Sequence, residues 1–207
     1  MGVMKKIGIY GGTFDPIHNG HVRAALAFLR QSDAEKLYII PTSIPPHKTQ
    51  ASTVDPKDRL RMCELAFSPY PEYGVRLVVS DYEISKGGRS YTVQTLRHFA
   101  KEADEIELLC GTDMFLTLDL WRAPKEIFAR AKIAYIRRES DRDLDEKTEE
   151  KKREYEEKYG ASVKRIDAPV FEIASGDVRK LIAEGKKLDG LVPDPVIEYI
   201  ETNRLYR

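Results

Sequence analysis

Two of the four histidines in this chain, His18 and His21, stand three residues apart around Asn19-Gly20. Just before them come a glycine pair, Gly11-Gly12, and a Thr13-Phe14-Asp15-Pro16 turn. Imidazoles so placed could ligate a metal or donate hydrogen bonds to phosphate oxygens. A zinc-type site would need further protein ligands, and the remaining histidines, His47 and His98, fall in no ligand motif. The flanking residues favour phosphate. "KKIGIY" (5–10) has the apolar character of a buried strand stopped by glycine, while Val22, Leu26 and Leu29 recur at helical spacing behind Asn19, the expected N-cap. A strand, a glycine loop and a helix start bring backbone N–H groups and the positive end of a helix to one anion. No G-K-[ST] follows and no G-x-G-x-x-G is present, so neither the P-loop nor the dinucleotide fingerprint describes it. Either histidine alone would pass as an ordinary loop residue; the convergence of glycines, turn and helix start singles the pair out.

Positioning such a loop requires a sheet, and the rest of the chain supplies one. "KLYIIP" (36–41), "VRLVVSDYEI" (75–84), "EIELLCG" (105–111) and "KIAYIRR" (132–138) read as strands. Helical segments at 57–67 and 92–102 lie between them. The alternation predicts an α/β fold, a Rossmann-like, doubly wound, mostly parallel sheet with helices on both faces. "TSIPPHKTQASTVDP" (42–56) is an exposed loop of a length that is functional or disordered. The mixed-charge stretch 139–160 reads as a solvated helix without chemistry, and 162–173 as extended. Helices are expected at 175–185, opened by Ser175, and at 194–204, with Pro195 in its first turn. One domain spanning 1–207 is expected, its C-terminal part, from about residue 170, forming a small helical subdomain.

Bulk composition narrows the class. The chain has 207 residues, 42% hydrophobic, with 34 Lys plus Arg balancing 34 Asp plus Glu. A net charge of zero argues against nucleic acid or an anionic membrane as partner, so any anion site must be local. Cys63 and Cys110 form no C-x-x-C pattern, and neither a secretory leader nor a membrane-length apolar run is seen, which points to a reducing cytoplasm.

Residues 12–21, "GTFDPIHNGH", resemble the nucleotidyltransferase signature G-x-F-D-P-x-H-x-G-H. Six further segments resemble bacterial nicotinate-mononucleotide adenylyltransferases: "IIPTSIPPHK" (39–48), "SYTVQTLRHF" (90–99), "LLCGTDMF" (108–115) with Trp121, "FEIASGDVRK" (171–180), "GLVPDPVIEYI" (190–200) and "LYR" (205–207). The resemblance implies transfer of AMP from ATP to nicotinate mononucleotide, giving nicotinate adenine dinucleotide and pyrophosphate. It implies that His18 and His21 contact the ATP phosphates, that Arg179 binds the β/γ-phosphates, and that Gly11, Gly12, Thr13 and Phe14 meet the nucleotide through backbone groups. Lys48 and Ser175 become further phosphate ligands, and Gly111 and Asp113 face the ribose. Trp121 would stack on the pyridine ring, with Tyr91 and Thr92 reading its carboxylate. Mg2+ would arrive held mainly by substrate phosphates and water, with no protein metal ligands.

The residues alone leave Trp121 open as a core tryptophan, Asp113 as a helix cap and Lys48 as a solvated lysine. They also leave open nicotinamide mononucleotide or phosphopantetheine as acceptor, a nucleotide-binding regulator without turnover, and the oligomeric state, a homodimer included. The second signature departs from the family's usual I-S-S-T-x-x-R: Ala174 and Gly176 lack two hydroxyls, and Asp177 adds a negative charge near a phosphate site.

Overall fold

The computed structural model describes residues 4–45, 54–137, 142–169 and 171–207. Six strands, β1 (Lys6–Gly12), β2 (Lys36–Pro41), β3 (Leu77–Val79), β4 (Glu105–Gly111), β5 (Lys132–Ile136) and β6 (Val163–Ile166), form one sheet in the order β3-β2-β1-β4-β5-β6. Every neighbouring pair is parallel. The order reverses between β1 and β4, the switch point at which open α/β sheets bind ligands beyond the carboxyl ends of their strands. None of the helices among the described residues is long and apolar enough to cross a membrane.

The strands divide their side chains between two cores with a period of two. Tyr10, Leu37, Ile39, Leu109, Ala134 and Ile136 face one core, which is closed by α1 (Asn19–Gln31) and α2 (Pro56–Phe67). Ile7, Ile9, Ile40, Leu108, Ile133 and Tyr135 face the other. There they meet residues of α4 (Thr92–Phe99), α6 (Pro124–Arg130) and α7 (Arg142–Tyr159), after α3 (Tyr82–Lys86) and the short α5 (Thr112–Phe115) have been passed. Gly8 is required where α1 lies down on the sheet, because a Cβ there would sit 2.5 Å from the Phe28 ring. Val178 of α8 (Ser175–Ala183) and Val196 and Ile200 of α9 (Asp194–Thr202) join the first core, and Tyr199 of α9 donates to Asp58 of α2 at 2.8 Å.

Several expectations are corrected. The extended reading of 75–84 holds only for Leu77–Val79, because Asp81 takes up both Ser85 groups, its backbone N–H and its hydroxyl, and turns Tyr82–Lys86 into a helix. β6 ends at Ile166 rather than continuing to 173. The Gln31 amide of α1 takes both polar groups of Asp167, accepting its N–H at 3.0 Å and donating to its carbonyl at 2.6 Å, so the chain leaves the sheet. α7 is not wholly solvated. Tyr155 is fully buried edge-on against Phe115 and donates to the Phe115 carbonyl at 2.9 Å, and Thr148 is buried too. α1 is capped by His18 rather than by Asn19, which is its first helical residue.

Candidate active site

The loop between β1 and α1 lies at the switch point, and its residues are fixed individually. Gly11 is exposed at the carboxyl end of β1, and the Gly12 carbonyl accepts from Thr42 N–H at 2.9 Å, tying the loop to the end of β2. A Cβ at Gly12 would stand 2.8 Å from the Phe14 ring. Phe14 itself adopts a left-handed φ of 48°, a strain of about 1 kcal/mol for a side-chain-bearing residue. Burial of its ring, edge-on to both Tyr10 and His21, offsets that strain. A cis peptide joins Asp15 to Pro16. His18 is fully buried as the N-cap of α1 and His21 is half-buried; their rings stack at 3.7 Å and 28°. The His18 N–H donates to His21 Nδ1 at 3.3 Å, so the pair sits together at the positive end of the helix. Gly20 makes room for it: a methyl there would lie 3.0 Å from His18 Nδ1 and 3.3 Å from Ile173 Cγ2.

That last contact shows where the second signature sits. Ser175 donates to the Pro16 carbonyl at 2.9 Å, and Arg179 Nη1 donates to the Asp15 carbonyl. Asn19 holds the following turn, its N–H on the Leu191 carbonyl at 2.8 Å and its amide on Gly190 at 2.9 Å. Asp177 is accounted for: its carboxylate accepts the Ala174 N–H at 3.2 Å and caps the start of α8. A Cβ on Gly176 would lie 3.9 Å from Arg179 Nη2, so the missing side chain leaves that side of the guanidinium open. Beside the histidines, Tyr10, Gly20, Arg23, Ile136, Arg137 and Phe171 line a narrow recess at the carboxyl ends of β1 and β5. The Arg23 guanidinium covers the Phe171 ring at 4.1 Å.

Gly111 ends β4, the strand beside β1, and Asp113 is exposed in the first turn of α5. Trp121 and Tyr91 are half-buried against the core on the opposite face of the sheet from Phe14. Arg122, next to Trp121, lies 4.6 Å over the Tyr91 ring and joins the two segments. Tyr91 caps α4 and Thr92 is its first residue. Lys48 lies outside the described residues, as does His47.

Four residues outside the signature positions hold these pieces: buried Arg59, Glu83 and Ser90, and half-buried Tyr206. Arg59 is 0% exposed and donates to the carbonyls of Thr13 and Thr42, each at 2.6 Å, and of Ser43 at 3.1 Å. Burial weakens its hold on the proton, and the nearby Asp15 carboxylate opposes that effect. A sequence signal for it exists: Arg59 shares the buried stripe of α2 with Met62, Cys63 and Ala66, at spacings of three, four and seven. Ser90 accepts from Ser43 N–H at 3.0 Å and bonds to buried Glu83, which also accepts from Thr95 at 2.5 Å. Burial raises the Glu83 carboxyl above its usual range, against the pull of those hydroxyls. Tyr206 donates to Asp15 Oδ1 at 2.8 Å.

Among the described residues, Asp33, Glu105 and Glu107 bring carboxylates within 4.8 Å of one another. They sit at the amino ends of β1 and β4, away from the histidines, and are met by Lys6 and Lys132. Cys63 and Cys110 are free and buried, and burial pushes both thiols up, away from thiolate chemistry.

Residues 9–181 match the cytidylyltransferase-like family. A probable nicotinate-nucleotide adenylyltransferase of Clostridium kluyveri is 34% identical over 207 residues, covering 99% of this chain and 100% of that protein. A protein of the same description from Clostridium beijerinckii is 34% identical over 210 residues, again covering 99% and 100%. The fold is similar to that of a Plasmodium falciparum nicotinic acid mononucleotide adenylyltransferase complexed with NaAD, at a TM-score of 0.74 and 18% identity over 98% of this chain and 97% of that one. The full-length likeness and the matching signature loop place the chain in the cytidylyltransferase-like family, among its nicotinate-nucleotide adenylyltransferases.

Proposed function

We propose that this chain transfers AMP from ATP to nicotinate mononucleotide through the groups gathered on the β1 loop. The observation that carries the reading is the stacked His18–His21 pair at the N-terminus of α1, bounded on one side by Ser175 and Arg179 and on the other by the end of β4. An acceptor 5′-phosphate is already an anion at neutral pH, so no side chain must remove a proton from it. Its oxygen attacks the α-phosphorus in line, a P–O bond forms, the bond to pyrophosphate breaks, and the electron pair leaves with pyrophosphate. The protein's task is alignment and charge stabilisation. In this reading half-buried His21 donates to the phosphate oxygens where negative charge gathers, and His18, fully buried and stacked against it, holds that ring in place. The backbone of Gly11 to Phe14 lets the nucleotide approach closely, and the open side of Arg179, with Ser175 behind it, meets the β/γ-phosphates. The carboxylate of Asp113 suits ribose hydroxyls. Trp121 offers a flat apolar partner to the pyridine ring, and the start of α4 at Tyr91 and Thr92 offers donors to its carboxylate.

A magnesium ion fits this site as a passenger on the triphosphate. Around the loop the described donors are imidazoles, guanidiniums and backbone groups, and the nearest carboxylate, Asp15, is already engaged by Tyr206 and Arg179. Such a donor set suits an ion held by phosphate oxygens and water, where it neutralises charge on the triphosphate. The buried free thiols support a reducing, cytoplasmic setting. Pyrophosphate release with ATP and, in turn, nicotinate mononucleotide, nicotinamide mononucleotide and phosphopantetheine tests the reading. Fastest release with the nicotinate acceptor supports it. Preference for another acceptor overturns the substrate assignment, and ATP binding without release overturns transfer itself.

A further inference from the structure

We propose that Asp15 is a positioning residue that holds Arg179 as the phosphate-binding arm, and that Tyr206, beyond α9, locks Asp15 in that role. The proposal rests on the adenylyl-transfer reading for what the arm binds.

Asp15 is 4% exposed, and a buried carboxylate must be paired or hydrogen-bonded to remain ionised. Its two oxygens are divided between partners from the far end of the chain. Oδ1 accepts from the Tyr206 hydroxyl at 2.8 Å, and Oδ2 lies 3.8 Å from Arg179 Nη1. The same Nη1 also donates to the Asp15 carbonyl, so one residue holds the arm through both main chain and side chain. Among the described residues Nη1 is the only nitrogen of this guanidinium so engaged, which leaves Nη2, on the Gly176 side, to face a ligand. Arg59 lies on the other side of the same loop, within electrostatic reach of Asp15.

The tail bends at a cost to deliver Tyr206. Arg204 and Tyr206 both take left-handed conformations, with φ of 54° and 64°, which residues bearing side chains rarely adopt. The phenol is held neutral by burial and by the neighbouring Asp15 carboxylate, so it stays a donor at any working pH. The contact bears on the arm for ATP, which separates its expected effect from that of the Trp121 and Tyr91 segments.

The test compares Asp15→Asn, Tyr206→Phe, Arg179→Ala and the Asp15→Asn/Arg179→Ala double variant with the parent protein. Steady-state kinetics are run with each substrate varied, and binding of inorganic tripolyphosphate is measured by calorimetry, a readout that needs no turnover. Asp15→Asn keeps an acceptor for Tyr206 and removes the charge beside Arg179. It should raise the KM for ATP and the Kd for tripolyphosphate about threefold to tenfold, the loss expected when a partly buried ion pair at 3.8 Å no longer orients the guanidinium, with the KM for the acceptor unchanged. Tyr206→Phe should act the same way by about threefold, in line with a neutral bond. In the Arg179→Ala background Asp15→Asn should add nothing. Equal effects on both substrates, or the same added loss with Arg179 already gone, would overturn the proposal. Should Asp15→Asn not fold, Tyr206→Phe alone decides: an unchanged tripolyphosphate affinity overturns it. Failure of the transfer reading would show separately, as absence of pyrophosphate release by the parent.

Discussion

The two halves of the proposed site are built differently. The phosphate half is cross-tied over a buried base: His18 and Arg59 are 0% exposed, and Arg59, Ser175, Arg179 and Asn19 each reach across the chain to hold a backbone carbonyl. The acceptor half is half-buried and open. Trp121, Tyr91 and Thr92 lie near the surface, with Leu120 76% and Met114 45% exposed beside them. The difference follows the chemistry. Charge that develops during phosphoryl transfer is stabilised by groups that need no reorganisation, which requires a preset loop. A ring and a carboxylate must enter and leave, and a shallow aromatic surface with a few donors suffices for that.

Damage to the phosphate half should therefore cost most. His18→Ala should lower kcat by roughly 10²-fold with the fold intact, the scale of misplacing a preset donor, here the His21 ring stacked on it, and near-parental turnover would remove the histidine from its assigned role. Arg59→Met should cost about 3 kcal/mol in urea unfolding, because three half-buried backbone carbonyls lose their donor at once. Stability within 1 kcal/mol of the parent, a margin small against that loss, would show that water replaces the guanidinium. Gly20→Ala forces His18 or Ile173 to shift by a few tenths of an ångström. It should lower kcat by about tenfold and leave the melting temperature nearly unchanged, since misplacement without unfolding is the whole defect.

The acceptor half should respond in KM instead. Trp121→Ala should raise the KM for nicotinate mononucleotide by about tenfold, the scale of one lost aromatic stack with its burial, and leave the KM for ATP where it was. Equal effects on both would return Trp121 to a core role. The smallest effect belongs to Glu83, behind the start of α4. Its carboxyl is raised in the fold, so the native state prefers the protonated form, and the stability that preference gives is present below pH 4.5 and lost as pH rises through the raised value. Glu83→Gln does not titrate. Its melting temperature should gain on the parent's as pH climbs from 4 to 8; parallel curves would show that Ser90 and Thr95 fully compensate the buried charge.

Much of the phosphate half was legible in the sequence because its residues are contiguous: glycines, turn, histidines and helix start fall within Gly11 to His21. All six strands are readable as extended runs, β1, β2, β4 and β5 nearly to their ends, whereas the runs that hold β3 and β6 extend well past Val79 and Ile166. The remaining features depend on tertiary partners. A single side chain, Gln31, ends β6, and one buried tyrosine, Tyr155, turns a charged helix into part of the core. Asp177, a negative charge near a phosphate site that a helix N-terminus would favour, is held there by the Ala174 N–H. Arg59 was the readable miss, a charge at an apolar position of a regular stripe, whereas the Tyr206–Asp15 contact joins residues 191 positions apart and has no local signature.

A preset loop of imidazole, guanidinium and backbone donors is proposed to move AMP onto an acceptor phosphate, and simultaneous quantification of pyrophosphate and dinucleotide with ATP, magnesium and nicotinate mononucleotide decides whether it does. The two products are expected in equal amounts, with both lost in His18→Ala. ATP bound by the parent protein without either product, or product formation indifferent to His18, would contradict it.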